Sequence, residues 1–320
     1  MPKGGFLLLL FYFSCLQSFS QQKEFEGVLN YKVEIKSKVP VFSDNVMKGI
    51  LAKGNFMTGY IKEGNYRQSS GGNEIYFINA SQKAYYKFKN VDTLYFLDYS
   101  TDIFPVPSVS KLKEEVTIAK YPCNAIELKT EESNTKYFYA PSLYINPAHD
   151  ENNKIGGYNA LIKETSAVWL SSIEESKTYS EKITATRIEQ KEIDKSVFDL
   201  PNLPLKVFTL ETVTKPPEYL RNGGWKNYLM KFTNNEVGAK YIKIPKGETS
   251  ATQSVLVSFL ITENGEVQQV KVENPKEVNS KVAKEAVRVV EESGKWKPGT
   301  IYGVRIPQYL KQSITFSVIK

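Results

Sequence analysis

A period-two alternation of apolar and polar residues dominates the first part of the chain. Residues 27–35 place Leu29, Tyr31, Val33 and Ile35 at every second position. Because successive side chains of a strand point to opposite faces, this segment is predicted to be a strand with one buried face. Comparable segments lie at residues 54–61, 74–79, 84–88, 93–98, 136–139, 160–164 and 178–191. We therefore expect a curled antiparallel β half-barrel over residues 21–203.

A predicted hairpin marks the start of a different pattern near the C-terminus. A β-branched strand at residues 254–262 is followed by Asn264 and Gly265 and then by a second strand at residues 266–272. Asn-Gly accepts the positive φ angles that a type I′ turn requires at both central positions. The sequence therefore predicts a tight two-residue hairpin here.

Helical periodicity follows this hairpin. Apolar positions at helical spacing predict a helix over residues 281–292, and a final alternating strand occupies residues 308–319. The order strand, strand, helix, strand predicts a small ββαβ domain of α+β class over residues 218–320. Between the helix and the last strand we assign packing and turn roles to Trp296, Pro298 and Gly299.

The junction between the two predicted domains is rich in proline. Pro204, Pro216 and Pro217 lie within residues 204–217. Proline cannot continue a helix and favours extended backbone, so this segment is predicted to be a semi-rigid linker.

The N-terminal segment has the pattern of a secretory signal. Lys3 precedes an apolar run at residues 6–13, and Ser18 and Ser20 place small residues before a cleavage point. The run is shorter than the roughly 20 residues that span a bilayer, and no later stretch resembles a membrane helix. We expect residues 1–20 to be removed and the protein to act in the periplasm or at the periplasmic face of the outer membrane. Lipidation of Cys15 is an alternative.

After this cleavage Cys123 is the one remaining cysteine, which excludes an internal disulfide, and we expect a buried small side chain there.

The net charge of +7 belongs mainly to residues 212–320, which hold 17 basic and 10 acidic residues. These lysines are scattered along the sequence, which argues against nucleic acid as a partner.

The C-terminal segments resemble the C-terminal domain of TonB energy transducers. The matching positions are Pro217 to Tyr219, Gly223 to Trp225, residues 257–267 and 283–290, Trp296 to Gly299 with Gly303, and residues 314–316. The family has a proline before the last of these segments, where Lys311 and Gln312 stand here.

This resemblance implies a last strand at a sheet edge that pairs with a short segment of an outer-membrane transporter. The implied partner-binding residues are Tyr309, Lys311, Ser313 and Thr315. The competing interpretation is an edge closed by a second copy of the chain or protected by its own charges, such as Lys311.

The first domain, over about residues 23–203, is similar to the GLPGLI family of secreted proteins and to the related lipoprotein-carrier-like half-barrels. The similarity rests on residues 121–123, Tyr137, residues 156–162 and residues 198–201, although Tyr158 to Ala160 stand where the family has Leu, Pro and Gly. It implies a fold rather than an activity. The concave face of such a half-barrel could hold an acyl chain or an apolar peptide, or be filled by its own side chains.

Catalytic motifs are not evident. His149 is the one histidine, and no nucleophile elbow, phosphate loop or metal-ligand spacing accompanies it. We therefore expect a protein without enzymatic activity, metal or cofactor, which binds an envelope partner through its last strand and supports transport. The alternative is a periplasmic carrier of a lipid or other apolar ligand. Direct energy transduction is disfavoured because no anchor or long spacer is evident.

Overall fold

The computed structural model describes residues 22–101 and 104–320. The predicted signal segment at residues 1–20, including Cys15, lies outside the described residues. Within the described ranges, no helix is both long and apolar enough to cross a membrane. The expected fold class, mainly β followed by an α+β part, is confirmed.

One large sheet forms the first domain. Its strands are β1 Gly27–Ser37, β2 Phe56–Lys62, β3 Asn65–Ser70, β4 Asn73–Ile78, β5 Lys83–Lys87, β6 Leu94–Asp98, β7 Ser108–Ile118, β8 Tyr121–Lys129, β9 Ser133–Tyr144, β10 Ala167–Ser176, β11 Tyr179–Gln190 and β12 Leu205–Val207. The spatial order is β12-β6-β5-β4-β3-β2-β1-β11-β10-β9-β8-β7, so the sheet is open, with β12 and β7 at its edges. Strand β1 in the middle pairs with β11 from Gly27↔Gln190 to Ser37↔Tyr179.

Two helices accompany this sheet, α1 Asp44–Ile50 and α2 Tyr158–Thr165. Helix α2 occupies the segment predicted to be a strand at residues 160–164, so that prediction was wrong. A short apolar run does not distinguish strand from buried helix, and here Leu161 and Ile162 are both fully buried on one helical turn. Gly157 precedes the helix at a positive φ of 72°.

The core of the first domain lies on the inner face of β1, β10 and β11. Leu29, Leu170 and Ile162 are completely buried there, and Cys123 joins them as a free thiol with 2% exposure. Burial of each large apolar side chain contributes roughly 1.5–3 kcal/mol to stability.

The segment expected to be a linker is bonded into the structure. Strand β12 adds to β6 in parallel, whereas every other neighbouring pair of the large sheet is antiparallel. The chain then forms a short helix, α3 Leu210–Val213, and strand β13 Thr214–Lys215. Residues 204–217 therefore connect the domains through paired backbone, because hydrogen bonds to β6 hold the extended chain that proline favours.

The second domain contains the remaining elements. These are β14 Glu218–Tyr219, α4 Gly224–Phe232, α5 Glu236–Tyr241, β15 Ser250–Ile261, β16 Val267–Val272, α6 Ser280–Glu291, β17 Trp296–Lys297, β18 Gly299–Ile301, β19 Val304–Ile306 and β20 Gln308–Ile319. The order of its main sheet is β16-β15-β20. Helix α6 packs Val282, Ala286 and Val289 against this sheet, each with no exposed surface. Asn279 caps the helix through a hydrogen bond from the Lys281 N–H.

The β18–β19 hairpin joins the second domain to the first. Tyr302 at its tip stacks on Phe88, with ring centroids 4.1 Å apart and planes within 8°. The Tyr302 N–H donates to the Val213 carbonyl at 2.6 Å. Val304 lies against α1 so closely that a Cβ on Gly49 would be 2.6 Å from its Cγ1. The two domains therefore share an apolar contact.

Candidate functional site

Strand β20 forms one edge of the main sheet of the second domain. It pairs with β15 from Gln308↔Ile261 to Ile319↔Ser250, and no other strand of the described residues pairs with it. The Lys320 N–H donates to the Thr249 carbonyl at 3.0 Å, which continues this register by one residue. Because hydrogen-bonded positions alternate along an antiparallel pair, the even-numbered residues of β20 bond to β15. The odd-numbered residues direct their N–H and C=O groups to the open edge.

All four predicted partner-binding residues belong to this outward set. Tyr309, Lys311, Ser313 and Thr315 are exposed, whereas Ile314 and Phe316 on the opposite face are buried. The structure thus brings the four residues together on one face and along one backbone edge, where the Gln312 side-chain amide donates to the Ser313 carbonyl at 2.7 Å and no other described strand pairs.

The face around these residues is polar. Tyr309 Oη donates to Gln269 Oε1, and the Thr315 and Ser254 hydroxyls are 2.8 Å apart. Gln269 adopts a positive φ of 51° where the β15–β16 register shifts, so a β-bulge aims its side chain at Tyr309. A shallow depression here is lined by Ser258, Gln269, Val270, Lys271, Glu273, Tyr309 and Lys311.

One carboxylate lies in this depression. The Ser258 hydroxyl donates to Glu273 at 2.6 Å and, with Lys271 and Lys311 nearby, lowers the pKa of Glu273. The depression therefore carries two lysines against one ionised acid at neutral pH.

The turn after β15 differs from the predicted type I′ geometry. Asn264 does not have a positive φ, whereas Gly265 has a φ of 80°. The Gly265 N–H donates to the Thr262 carbonyl at 2.9 Å, and the Thr262 N–H donates to Glu266 at 2.9 Å. This pattern is a three-residue hairpin loop, residues 263–265, with a single left-handed glycine.

Trp296 lies in the interior of the second domain. Its ring contacts Tyr219, Trp225 and Phe259 at centroid distances of 5.0, 4.9 and 5.8 Å, and its Nε1 donates to the Ser293 hydroxyl at 3.2 Å. Pro298 separates β17 from β18. A Cβ on Gly299 would lie 2.5 Å from the terminal amide of Gln308, so a larger residue would require that side chain to move.

A second candidate site is a cavity of about 260 Å³ inside the first domain. Sequence reasoning did not single out its residues. Six of its 22 lining residues are aromatic, namely Tyr31, Tyr66, Phe77, Tyr137, Tyr158 and Trp169. Tyr31 and Trp169 stack with centroids 4.9 Å apart. Burial raises the pKa of Tyr137 and Tyr158, so these phenols stay neutral at physiological pH.

The cavity also has charged groups. Glu174 and Glu181 are direct cross-strand neighbours of β10 and β11, and both line it. Lys53 Nζ contacts Glu181 Oε2 at 2.6 Å, and Tyr179 Oη donates to Glu174 at 2.8 Å. Burial, and to a lesser extent Glu181, raises the pKa of Glu174.

Three polar atoms of residues that line the cavity lack partners among the described residues, Glu181 Oε1, Tyr66 Oη and Asn153 Oδ1. Glu181 shares a strand face with Ile183 and Ala185, and this acidic residue at an apolar-face position is the sequence signal that could have identified the cavity.

The side chains that could ligate a metal are dispersed over the described residues. No cluster of three or more His, Cys, Asp or Glu side chains there could hold a metal ion. His149 instead contacts Glu24 through Nε2 and Asn79 through Nδ1, both at 3.3 Å.

Comparison with known proteins gives little further information. No family model and no curated protein matches the chain. Two PNGF-II structures, in the C2 and P21 space groups, align at 10% and 9% identity, each with a TM-score of 0.36. They cover 76% and 75% of this chain, which spans only 44% and 45% of theirs. MucB in complex with MucA(peri) aligns at 8% identity and a TM-score of 0.26, over 82% of this chain and 92% of that one. These TM-scores carry no functional argument, and both family resemblances stay predictions.

Proposed function

We propose that the protein binds an extended segment of an envelope protein by strand addition to β20. The observation that carries this proposal is the free edge of the strand, where the main-chain groups of Tyr309, Lys311, Ser313 and Thr315 point away from β15. Strand addition gains affinity from main-chain hydrogen bonds and selectivity from alternate side chains. The partner is an outer-membrane transporter or another periplasmic protein, and binding supports transport.

The charge beside this edge favours an acidic partner segment. Lys311 lies on the strand itself and Lys271 lines the adjacent depression. The excess of basic residues in residues 212–320 adds a longer-range attraction, which salt screens beyond about 8–10 Å. An acidic residue opposite Lys311 would complete a cross-strand pair of opposite charges.

A proline substitution tests strand addition directly. The Thr315 N–H faces the open edge, so Thr315→Pro removes an outward donor and the hydroxyl contact with Ser254 but no main-chain hydrogen bond to β15. We expect the full chain carrying Thr315→Pro to lose its partner in pull-downs from native envelope extracts. Thr315→Ser keeps the N–H and serves as the matched control, expected to retain the partner.

Equal recovery of the same partner by wild type and Thr315→Pro would contradict the proposal. Sedimentation of the purified chain tests the competing case of pairing between two copies. A stable dimer that Thr315→Pro converts to monomer would assign the edge to self-association.

A second function, carriage of a small ligand by the first domain, is supported by the cavity of about 260 Å³. Because this volume is at the lower end of ligand pockets, a compact ligand suits it better than a lipid with two chains. Native mass spectrometry of protein purified from its own envelope tests carriage. A retained small molecule supports it, and a mass that is always that of the bare chain contradicts it.

A further inference from the structure

The aromatic wall of the cavity suits a ligand with a ring and a positive charge. Tyr137 meets Trp169 edge to face at 6.1 Å, next to the stacked pair of Tyr31 and Trp169. Aromatic faces bury apolar groups and also attract cations through their quadrupole.

The cavity lining holds four acidic side chains, Glu24, Asp150, Glu174 and Glu181, and one lysine, Lys53. Glu174 and Glu181 face each other across β10 and β11, an arrangement of like charges that ordinarily destabilises a sheet. Lys53 is the one lysine that lines the cavity, and it contacts only the Oε2 atom of Glu181. These three groups leave one negative charge when both carboxyls are ionised.

An unfilled hydrogen-bond position lies at the same place. Glu181 is 4% exposed, and its Oε1 atom has no partner among the described residues. Buried carboxylate oxygens in folded proteins are nearly always hydrogen-bonded. Glu181 Oε1 therefore lacks a hydrogen-bond donor in the described part of the chain.

We propose that the cavity binds a small aromatic amine, whose ammonium group donates to Glu181 Oε1 and whose ring packs against the cluster of Tyr31, Tyr137 and Trp169. This inference rests on the second proposed function, ligand binding by the first domain, and specifies its ligand class. Since a cavity of about 150 Å³ can hold one benzene, the larger volume here accommodates a ring with a short chain.

The same charges disfavour an anionic ligand. The carboxylate of a fatty acid in this cavity would approach Glu174 and Glu181 with only Lys53 to compensate.

Isothermal titration calorimetry with matched probes tests the ligand class on the full secreted chain. Phenethylamine and hydrocinnamate share a ring and a two-carbon chain but end in an ammonium and a carboxylate, and phenethyl alcohol is the neutral counterpart. We expect saturable binding of phenethylamine, at least about tenfold tighter than either counterpart, as one charge-assisted hydrogen bond implies. Equal binding of hydrocinnamate, or no binding of phenethylamine, would overturn the proposal.

A pair of variants tests whether the amine binds at Glu181. Glu181→Gln keeps the shape of the side chain and removes its charge, and we expect it to weaken phenethylamine binding about tenfold. Glu175→Gln changes a neighbouring glutamate outside the cavity lining, with 58% of its side chain exposed, and should leave binding within about twofold. Circular dichroism checks that both variants fold. An unchanged affinity in Glu181→Gln would refute the assigned position.

Native mass spectrometry separates this inference from ligand carriage itself. A copurifying lipid or fatty acid would support carriage and refute an amine ligand. A copurifying amine would support both. If the chain purifies without any ligand and also does not bind phenethylamine, both ligand carriage and the amine ligand are refuted.

Discussion

The carbonyl of Gly265 accepts a hydrogen bond from the Trp296 N–H at 2.8 Å, which ties the β15–β16 turn to β17. A Cβ on Gly265 would lie 2.0 Å from the Trp296 carbonyl oxygen. The turn thus approaches the backbone at the centre of the aromatic cluster formed by Tyr219, Trp225 and Trp296. The glycine is required both for its φ and for this close contact.

Replacement of Gly265 should therefore destabilise the second domain. Gly265→Ala places a non-glycine residue at a φ of 80° and forces the turn away from Trp296. We expect a loss of about 2–4 kcal/mol in the free energy of unfolding, measured by urea denaturation. Gly247→Ala is the matched control, because Gly247 also has a positive φ, of 96°, but a Cβ there meets nothing within 4 Å. If Gly265→Ala and Gly247→Ala lose the same free energy of unfolding, the close contact with Trp296 contributes nothing to stability.

Tyr302 should couple the unfolding of the two domains. Its ring stacks on Phe88 and is 8% exposed. Tyr302→Ala removes this contact, and we expect calorimetry to resolve two thermal transitions where the wild type has one. Tyr302→Phe preserves the stacked ring and should behave like the wild type. A single, unshifted transition in Tyr302→Ala would argue against coupling through the hairpin.

Glu285 should stabilise the connection between α4 and α5. Its Oε1 accepts the Asn234 N–H at 2.7 Å and a bond from Arg288 at 2.7 Å, and it is 8% exposed. Glu285→Ala leaves the Asn234 N–H without its partner, so we expect a loss of about 1–3 kcal/mol in urea unfolding. Glu291→Ala on the exposed face of α6 should change stability by less than about 0.5 kcal/mol. Equal losses in the two variants would contradict this role for Glu285.

Asp150 should make the protein less stable as the pH rises. Burial raises its pKa from the ordinary value of 3.8 to about 6. Because the folded state retains this proton to a higher pH than the unfolded state, the contribution of Asp150 to stability falls between about pH 4 and pH 6. Asp150→Asn should therefore stabilise the protein at pH 7 relative to wild type, with a smaller difference at pH 4. Urea unfolding of Asp150→Asn and wild type at pH 4 and pH 7 measures this change. An equal stability difference between the two proteins at both pH values would contradict a raised pKa of Asp150.

Local sequence patterns account for several elements of this fold. The alternation of Leu29, Tyr31 and Val33 predicted β1, and helical spacing predicted α6 to within one residue at each end. Strand β20 begins and ends where predicted, at Gln308 and Ile319. These elements have one buried and one exposed face, so their periodicity is present in the sequence itself.

Tertiary contacts decided the remainder. Helix α2 is short and apolar, so burial of Leu161 and Ile162 rather than periodicity fixed its conformation. The pairing of β12 with β6 and the stacking of Tyr302 on Phe88 join residues more than a hundred positions apart, which no local pattern records. The position of Glu181 on an apolar strand face is visible in the sequence, but the other residues of the cavity wall come from distant strands that only the tertiary structure brings together.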